Sequence, residues 1–167
     1  MSGTSSSGTG GAVDRDHRAI AEAIEPYLEC EGPLLPVLHA IQDRLGYVPR
    51  EAVAVVADVL NLSRADVHGV ISFYHDFRTV PPGRHVVRLC QAEACQSVGS
   101  EALARHARAR LRVDFHETSA DGAFTLEPVY CLGGCACSPT MMLDGRLYGR
   151  VTPERFDRLV AALERAD

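Results

Sequence analysis

Between residues 14 and 80 the apolar positions recur at helical spacing, and the segment reads as helices only. Ile20, Ile24, Tyr27 and Leu28 form one stripe. After Pro33 a second stripe follows, made of Leu34, Leu38, Ile41 and Leu45, and Gly46 supplies its C-terminal stop. Pro49 can open a third helix with Val53, Val56 and Leu60 on its buried side. Ser63, three residues ahead of Asp66, caps a fourth that carries Val67, Val70, Ile71 and Tyr74. Connections this short favour an antiparallel helical bundle over residues 14–80. Val80, Pro81, Pro82 and Gly83 then read as a linker.

From residue 85 the pattern changes. His85–Cys90 (HVVRLC) is a β-branched run suited to a strand, and Phe124–Tyr130 reads as a second strand. Between them Ser100 is a candidate cap for a helix with Leu103, Ala107 and Leu111 on one face and arginines gathered towards its negative end. Met141–Leu143 and Leu147–Tyr148 flank Asp144 and Gly145, a strong hairpin signal. Thr152 and Pro153 begin a last helix with Phe156, Leu159, Val160 and Leu163 aligned. The order is β-α-β followed by β-β-α. A right-handed crossover makes the first two strands parallel, and the hairpin adds two antiparallel ones. The expected class is α+β: an N-terminal helical bundle, then a thioredoxin-like domain over residues 81–167 with a mixed four-stranded sheet.

Composition narrows the function classes. A chain of 167 residues with 46% apolar and 23% charged residues is an ordinary globular protein of one medium or two small domains. A net charge of −5 argues against nucleic acid or an anionic membrane surface as partner. No apolar run approaches the roughly 20 residues needed to span a bilayer, so no membrane insertion is expected. The first thirteen residues are rich in Ser and Gly, carry no charged side chain and lack signal-peptide features. Residues 1–13 are therefore expected to be a disordered tail. Six cysteines without an export signal point to a reducing, cytoplasmic setting, where clustered thiols serve as metal ligands or redox centres rather than as disulfides.

Five of those cysteines lie in the second half: Cys90, Cys95, Cys131, Cys135 and Cys137. Cys90 and Cys131 each stand at the carboxyl end of a predicted strand. If those strands are parallel, the following loops emerge at the same sheet edge, where open α/β sheets build their sites. The pairs Cys90-x₄-Cys95 and Cys131-x₃-Cys135 can then converge. Four thiolates meet the demand of a two-iron cluster, and soft sulfur also suits zinc. The unequal spacings, with a wide four-residue gap, favour a centre larger than one ion over a zinc knuckle. Gly133 and Gly134 allow backbone N–H groups to turn towards the sulfurs, or simply permit a tight turn.

The segments VVRLCQAEACQSVGSEAL and YCLGGCACSPTMMLDGRLYGRVTPERFDRLV resemble the small thioredoxin-like [2Fe–2S] ferredoxin subunit of respiratory complex I and its relatives. LLPVLHAIQDRLGYVPREAVAVVADVLNLSRADVHGVISFYHDF is similar to that family's N-terminal bundle. The resemblance covers about residues 14–165. It implies Cys90, Cys95, Cys131 and Cys135 as ligands of a [2Fe–2S] cluster in a non-catalytic electron-transfer subunit of an NAD-dependent oxidoreductase complex. It also implies a larger partner subunit carrying FMN and the NAD site. Where the complex I version commonly has His after its second ligand and Glu before its third, this chain has Gln96 and Tyr130. The loops QAEACQS, YCLGGCACSP and FYHDFR look more like the gamma subunit of soluble NAD-dependent molybdenum formate dehydrogenases. The corresponding subunit of a bidirectional NAD-linked hydrogenase, or of complex I itself, is the alternative. A zinc-stabilised scaffold module is the non-redox one.

On the family pattern Cys137 is expected to be a small buried neighbour of the centre rather than a ligand, and Cys30 a packing residue at a helix end. Pro139, ahead of the third strand, stands where such domains often place a cis proline. His75 lacks a second nearby ligand and reads as structural or interfacial, within an aromatic stretch suited to packing or docking. Met141 and Met142 read as strand core, and Glu154 and Asp157 as a solvated helix face. A thioredoxin-type disulfide exchange would need a close C-x₂-C pair, which neither spacing offers. No nucleotide-binding or hydrolase motif occurs.

Overall fold

The computed structural model describes residues 10–166. The chain divides into two compact units, one ending at Pro81 and the other beginning at Pro82.

Among the described residues the first unit holds four helices: α1 (Gly10–Ile24), α2 (Leu34–Leu45), α3 (Arg50–Leu60) and α4 (Arg64–Phe73), with a 3₁₀ turn at Glu25–Tyr27 after α1. Of the tail expected over residues 1–13, residues 1–9 lie outside the described residues, and residues 10–13 belong to α1. The helix ends follow local chemistry. Gly46 closes α2 in the left-handed region at φ 83°, and Asn61 does the same for α3 at φ 53°. Ser63 Oγ accepts the Asp66 N–H at 3.0 Å while the Asp66 carboxylate accepts the Ser63 N–H at 3.3 Å, a reciprocal cap on α4.

Ile20, Val37, Leu38, Ile41, Val56 and Val67 are fully buried at the centre of this unit. Each such side chain stabilises the fold by about 1.5–3 kcal/mol relative to exposure. Gln42 is the buried polar member of α2. Its Nε2 donates to the Asp76 carbonyl at 2.8 Å and its Oε1 accepts the Arg78 N–H at 2.7 Å, tying the segment after α4 back to α2. Phe77, in that segment, is buried with its ring 4.9 Å from that of His39. His75 is exposed. Cys30 is exposed too, contrary to the packing role expected of it. It lies between the 3₁₀ turn and α2, and its backbone N–H donates to the Tyr27 carbonyl at 3.1 Å.

The second unit is built on β1 (His85–Cys90), β2 (Glu117–Thr118), β3 (Phe124–Val129), β4 (Met141–Leu143) and β5 (Arg146–Tyr148). The sheet order is β2-β3-β1-β4-β5. β1 and β3 are parallel, with Cys90 opposite Val129, and β4 runs antiparallel to β1 with Leu89 opposite Met141. Asp144 and Gly145, at φ 49° and 80°, make the hairpin between β4 and β5. The sheet thus has five strands where four were expected. The additional one, β2, is two exposed residues paired with Leu126 and Thr125, too short to show any alternation.

Three helices complete the unit: α5 (Glu93–Gln96), α6 (Ser100–Leu111) and α7 (Pro153–Glu164). Leu103, Ala107, Phe156 and Val160 share a core with Val87, Leu89, Leu126, Met141 and Leu143. Met142 points to the other sheet face, as the two-residue period requires, and is half-buried rather than core. The cap of α6 is Gly99, left-handed at φ 94°, and Ser100 is instead its first, buried residue. Thr152 Oγ1 caps α7 by accepting the Arg155 N–H at 3.2 Å. Asp157 is not merely solvated: it bonds His106 Nε2 at 2.8 Å, linking α7 to α6. Among the described residues no helix is long and apolar enough to cross a membrane.

Candidate metal centre

The parallel pairing of β1 and β3 brings the two cysteine loops to one edge of the sheet. Gln91 N–H donates to the Val129 carbonyl at 2.7 Å, so the two strands finish level, and Cys90 N–H donates to Thr140 at 3.1 Å. Beyond β1 the chain winds into the single turn of α5, which carries Cys95. Four residues are too few to betray a helix by periodicity, and this turn was not legible in the sequence. Beyond β3 the loop reverses. Cys131 and Gly133 have φ 125° and 77°, and the Gly133 N–H donates to Cys131 Sγ at 3.4 Å. Cys135 opens a 3₁₀ turn reaching Cys137, and the Ser138–Pro139 bond that leads into β4 is cis.

Four of the sulfurs fall into two pairs. Cys131 Sγ and Cys135 Sγ are 3.7 Å apart. Two sulfurs bound to one tetrahedral metal at about 2.3 Å would be roughly 3.8 Å apart, so this pair has the bite of a single metal atom. Cys90 and Cys95, both buried, make the second pair, and Cys90 is among the neighbours that lower the Cys95 thiol. Burial separates them: Cys90 and Cys95 are 2% and 1% exposed, whereas Cys131 and Cys135 face solvent.

The electrostatics join the pairs. The hydrogen bond and negative charge of Cys131 push the Cys135 thiol above its usual value, and the charges of Cys95 and Cys90 add to the shift. Burial by itself raises the Cys95 thiol, but hydrogen bonds from Ser138, Thr140 and Cys90 outweigh it and leave this group lowered.

Among the described residues no three His, Cys, Asp or Glu side chains gather closely enough to hold one metal ion. A mononuclear tetrahedral zinc site would bring all its sulfurs to about the same 3.8 Å separation. Two distinct sulfur pairs suit a centre of two metal atoms instead. The donor set fits a [2Fe–2S] cluster: four thiols, plus an N–H aimed at a sulfur.

Cys137 lies next to this group but is exposed, not buried as expected. Its carbonyl accepts the Arg150 N–H at 2.6 Å, which pins the loop to the strand end after β5. Two further residues escaped the sequence reading. Ser138 Oγ is 3.3 Å and Thr140 Oγ1 3.5 Å from Cys95 Sγ. The available signal was a pair of hydroxyl residues flanking the proline just before a buried strand.

The profile of the thioredoxin-like [2Fe–2S] ferredoxin family matches residues 20–164. The NADP-reducing hydrogenase subunit HndA of Solidesulfovibrio fructosivorans is 34% identical over 145 residues, 87% of this chain and 85% of that one. A subunit of the NADH-quinone oxidoreductase of Escherichia coli (strain K12) is 33% identical over 145 residues, 87% of each. Among solved structures, air-oxidized NAD⁺-reducing [NiFe]-hydrogenase superposes with a TM-score of 0.68 over 80% of this chain at 24% identity, a likeness of fold. The chain spans only 23% of that hydrogenase chain. With its strand order, its two converging cysteine loops and a family match over nearly all the described residues, the chain belongs to the thioredoxin-like [2Fe–2S] ferredoxins.

Proposed function

We propose that the chain is the electron-transfer subunit of an NAD-linked oxidoreductase complex, and that Cys90, Cys95, Cys131 and Cys135 hold its [2Fe–2S] cluster. The observation that carries this reading is the meeting of the two cysteine loops at one sheet edge, with Cys131 Sγ and Cys135 Sγ 3.7 Å apart. When bound, such a cluster accepts and returns one electron at a time. The residues divide the remaining work. The buried Cys90 and Cys95 shield one side from water, and the exposed Cys131 and Cys135 leave the other within reach of a partner. The Gly133 N–H, aimed at Cys131 Sγ, favours the more negatively charged state.

The partner is a subunit binding NAD and FMN, where hydride chemistry must be divided into single-electron steps. Tyr130, 76% exposed beside Cys131, offers an aromatic contact of the kind enriched at interfaces. The setting is the reducing cytoplasm. Protein purified anaerobically is expected to hold about two irons and two labile sulfides, with a rhombic paramagnetic signal only after reduction. Zinc without sulfide would overturn the reading.

For the parent complex we favour a molybdenum formate dehydrogenase, from the loop resemblance in QAEACQS, YCLGGCACSP and FYHDFR. A hydrogenase is the second reading, favoured by the likeness to HndA. Metal analysis of the native complex separates them: molybdenum supports the first, nickel the second.

A further inference from the structure

We propose that Thr140, outside the four-cysteine set, raises the electron affinity of the centre by donating its hydroxyl hydrogen to the sulfur of Cys95. This rests on the reading of Cys95 as a ligand. Thr140 is 2% exposed, and among the described residues the sole hydrogen-bond partner of its hydroxyl is Cys95 Sγ at 3.5 Å. In the metal-free chain either group can donate. A metal-bound thiolate has no hydrogen left, so the buried hydroxyl must then donate or go unpartnered.

The side chain is also aimed. Thr140 is β-branched and stiff about its first torsion. Its methyl group lies against Gly134, where a Cβ would approach Thr140 Cγ2 to 3.0 Å. The one residue thus touches both loops, its methyl on the Cys131–Cys135 side and its hydroxyl on Cys95. Its backbone reinforces the link, since the Thr140 carbonyl accepts the Cys90 N–H at 3.1 Å.

Ser138 is placed differently. Its single hydroxyl hydrogen has two acceptors within reach, the Cys135 carbonyl at 2.8 Å and Cys95 Sγ at 3.3 Å. Thr140 is therefore the committed donor and Ser138 the divided one. A hydrogen bond to a ligand sulfur favours the reduced, more negative state and raises the potential, most effectively where the sulfur is buried.

The test is a redox titration of the full-length, cluster-loaded chain and its variants. Thr140→Val is expected to keep two irons and two sulfides but to weaken reduction about tenfold, which for a one-electron couple is about 59 mV downward. Thr140→Ser, which keeps the hydroxyl, should hold the parent potential, and Ser138→Ala should shift it less than valine does. A fully loaded valine variant with an unchanged potential overturns the proposal while leaving the ligand reading intact. A parent chain without iron and sulfide overturns the ligand reading itself. Should valine impair loading, alanine and serine at position 140 pose the same question, and equal potentials in those two overturn the proposal. Loss of the cluster in all three variants also overturns it, in favour of a structural role.

Discussion

The backbone at Gly149 crosses Cys137 so closely that a Cβ on the glycine would stand 2.6 Å from the cysteine Cβ and 2.9 Å from its carbonyl oxygen. Backbone cannot move aside as a flexible side-chain tip can. Gly149→Ala is therefore expected to destabilise the second unit by about 1–3 kcal/mol, as over-packing typically does. Gly133→Ala meets nothing within 4 Å, and its cost is only that of a side chain at φ 77°, about 1–2 kcal/mol. Urea unfolding of both variants measures the two effects, and the cluster spectrum of Gly149→Ala should broaden if the loop shifts.

Single Cys→Ser changes at positions 90, 95, 131 and 135 should each abolish or badly distort the visible absorption of the cluster. The same change at Cys30 or Cys137, both exposed, should leave it largely intact. Iron and sulfide content alongside the spectrum checks the series. Loss in Cys137→Ser with retention in Cys135→Ser would reverse the ligand assignment.

Replacing Gln42 by Leu removes both halves of its bridge, the bond from the Arg78 N–H and the bond to the Asp76 carbonyl, in a part-buried place. A loss of about 2 kcal/mol is expected in the stability of the helical unit. Amide hydrogen exchange at Arg78 should accelerate more than exchange within α3. Uniform acceleration across the unit would contradict a local role for this side chain.

Ser63→Ala deletes the acceptor of the α4 cap and should cost about 1 kcal/mol. Ser63→Asp keeps an acceptor and should recover most of it. Thermal unfolding of the three proteins compares them directly.

What the sequence disclosed was whatever depends on near neighbours. The stripe Leu34, Leu38, Ile41, the Ser63 cap and the Asp144 hairpin are each decided within a few residues, and each is present. The arrival of the two cysteine loops at one sheet edge was legible too, because it follows from the parallel pairing that a single β-α-β crossover imposes. Features that depend on distant partners were not. Thr118 is a strand residue only because Thr125 lies beside it. The importance of Gln42 becomes visible only once Arg78 has folded back over α2. Cys137 reads as a small apolar residue in composition, but it ends a 3₁₀ turn and is exposed.

The level ends of β1 and β3 have a consequence for assembly. Before the sheet forms, the polypeptide presents two separate dithiols with a whole crossover helix between them, and an iron atom arriving early finds half a socket. Only when the central strands have paired do both halves face one another. If Cys90, Cys95, Cys131 and Cys135 are the ligands, as proposed, the middle strands have to dock before one inorganic core can be gripped from both sides.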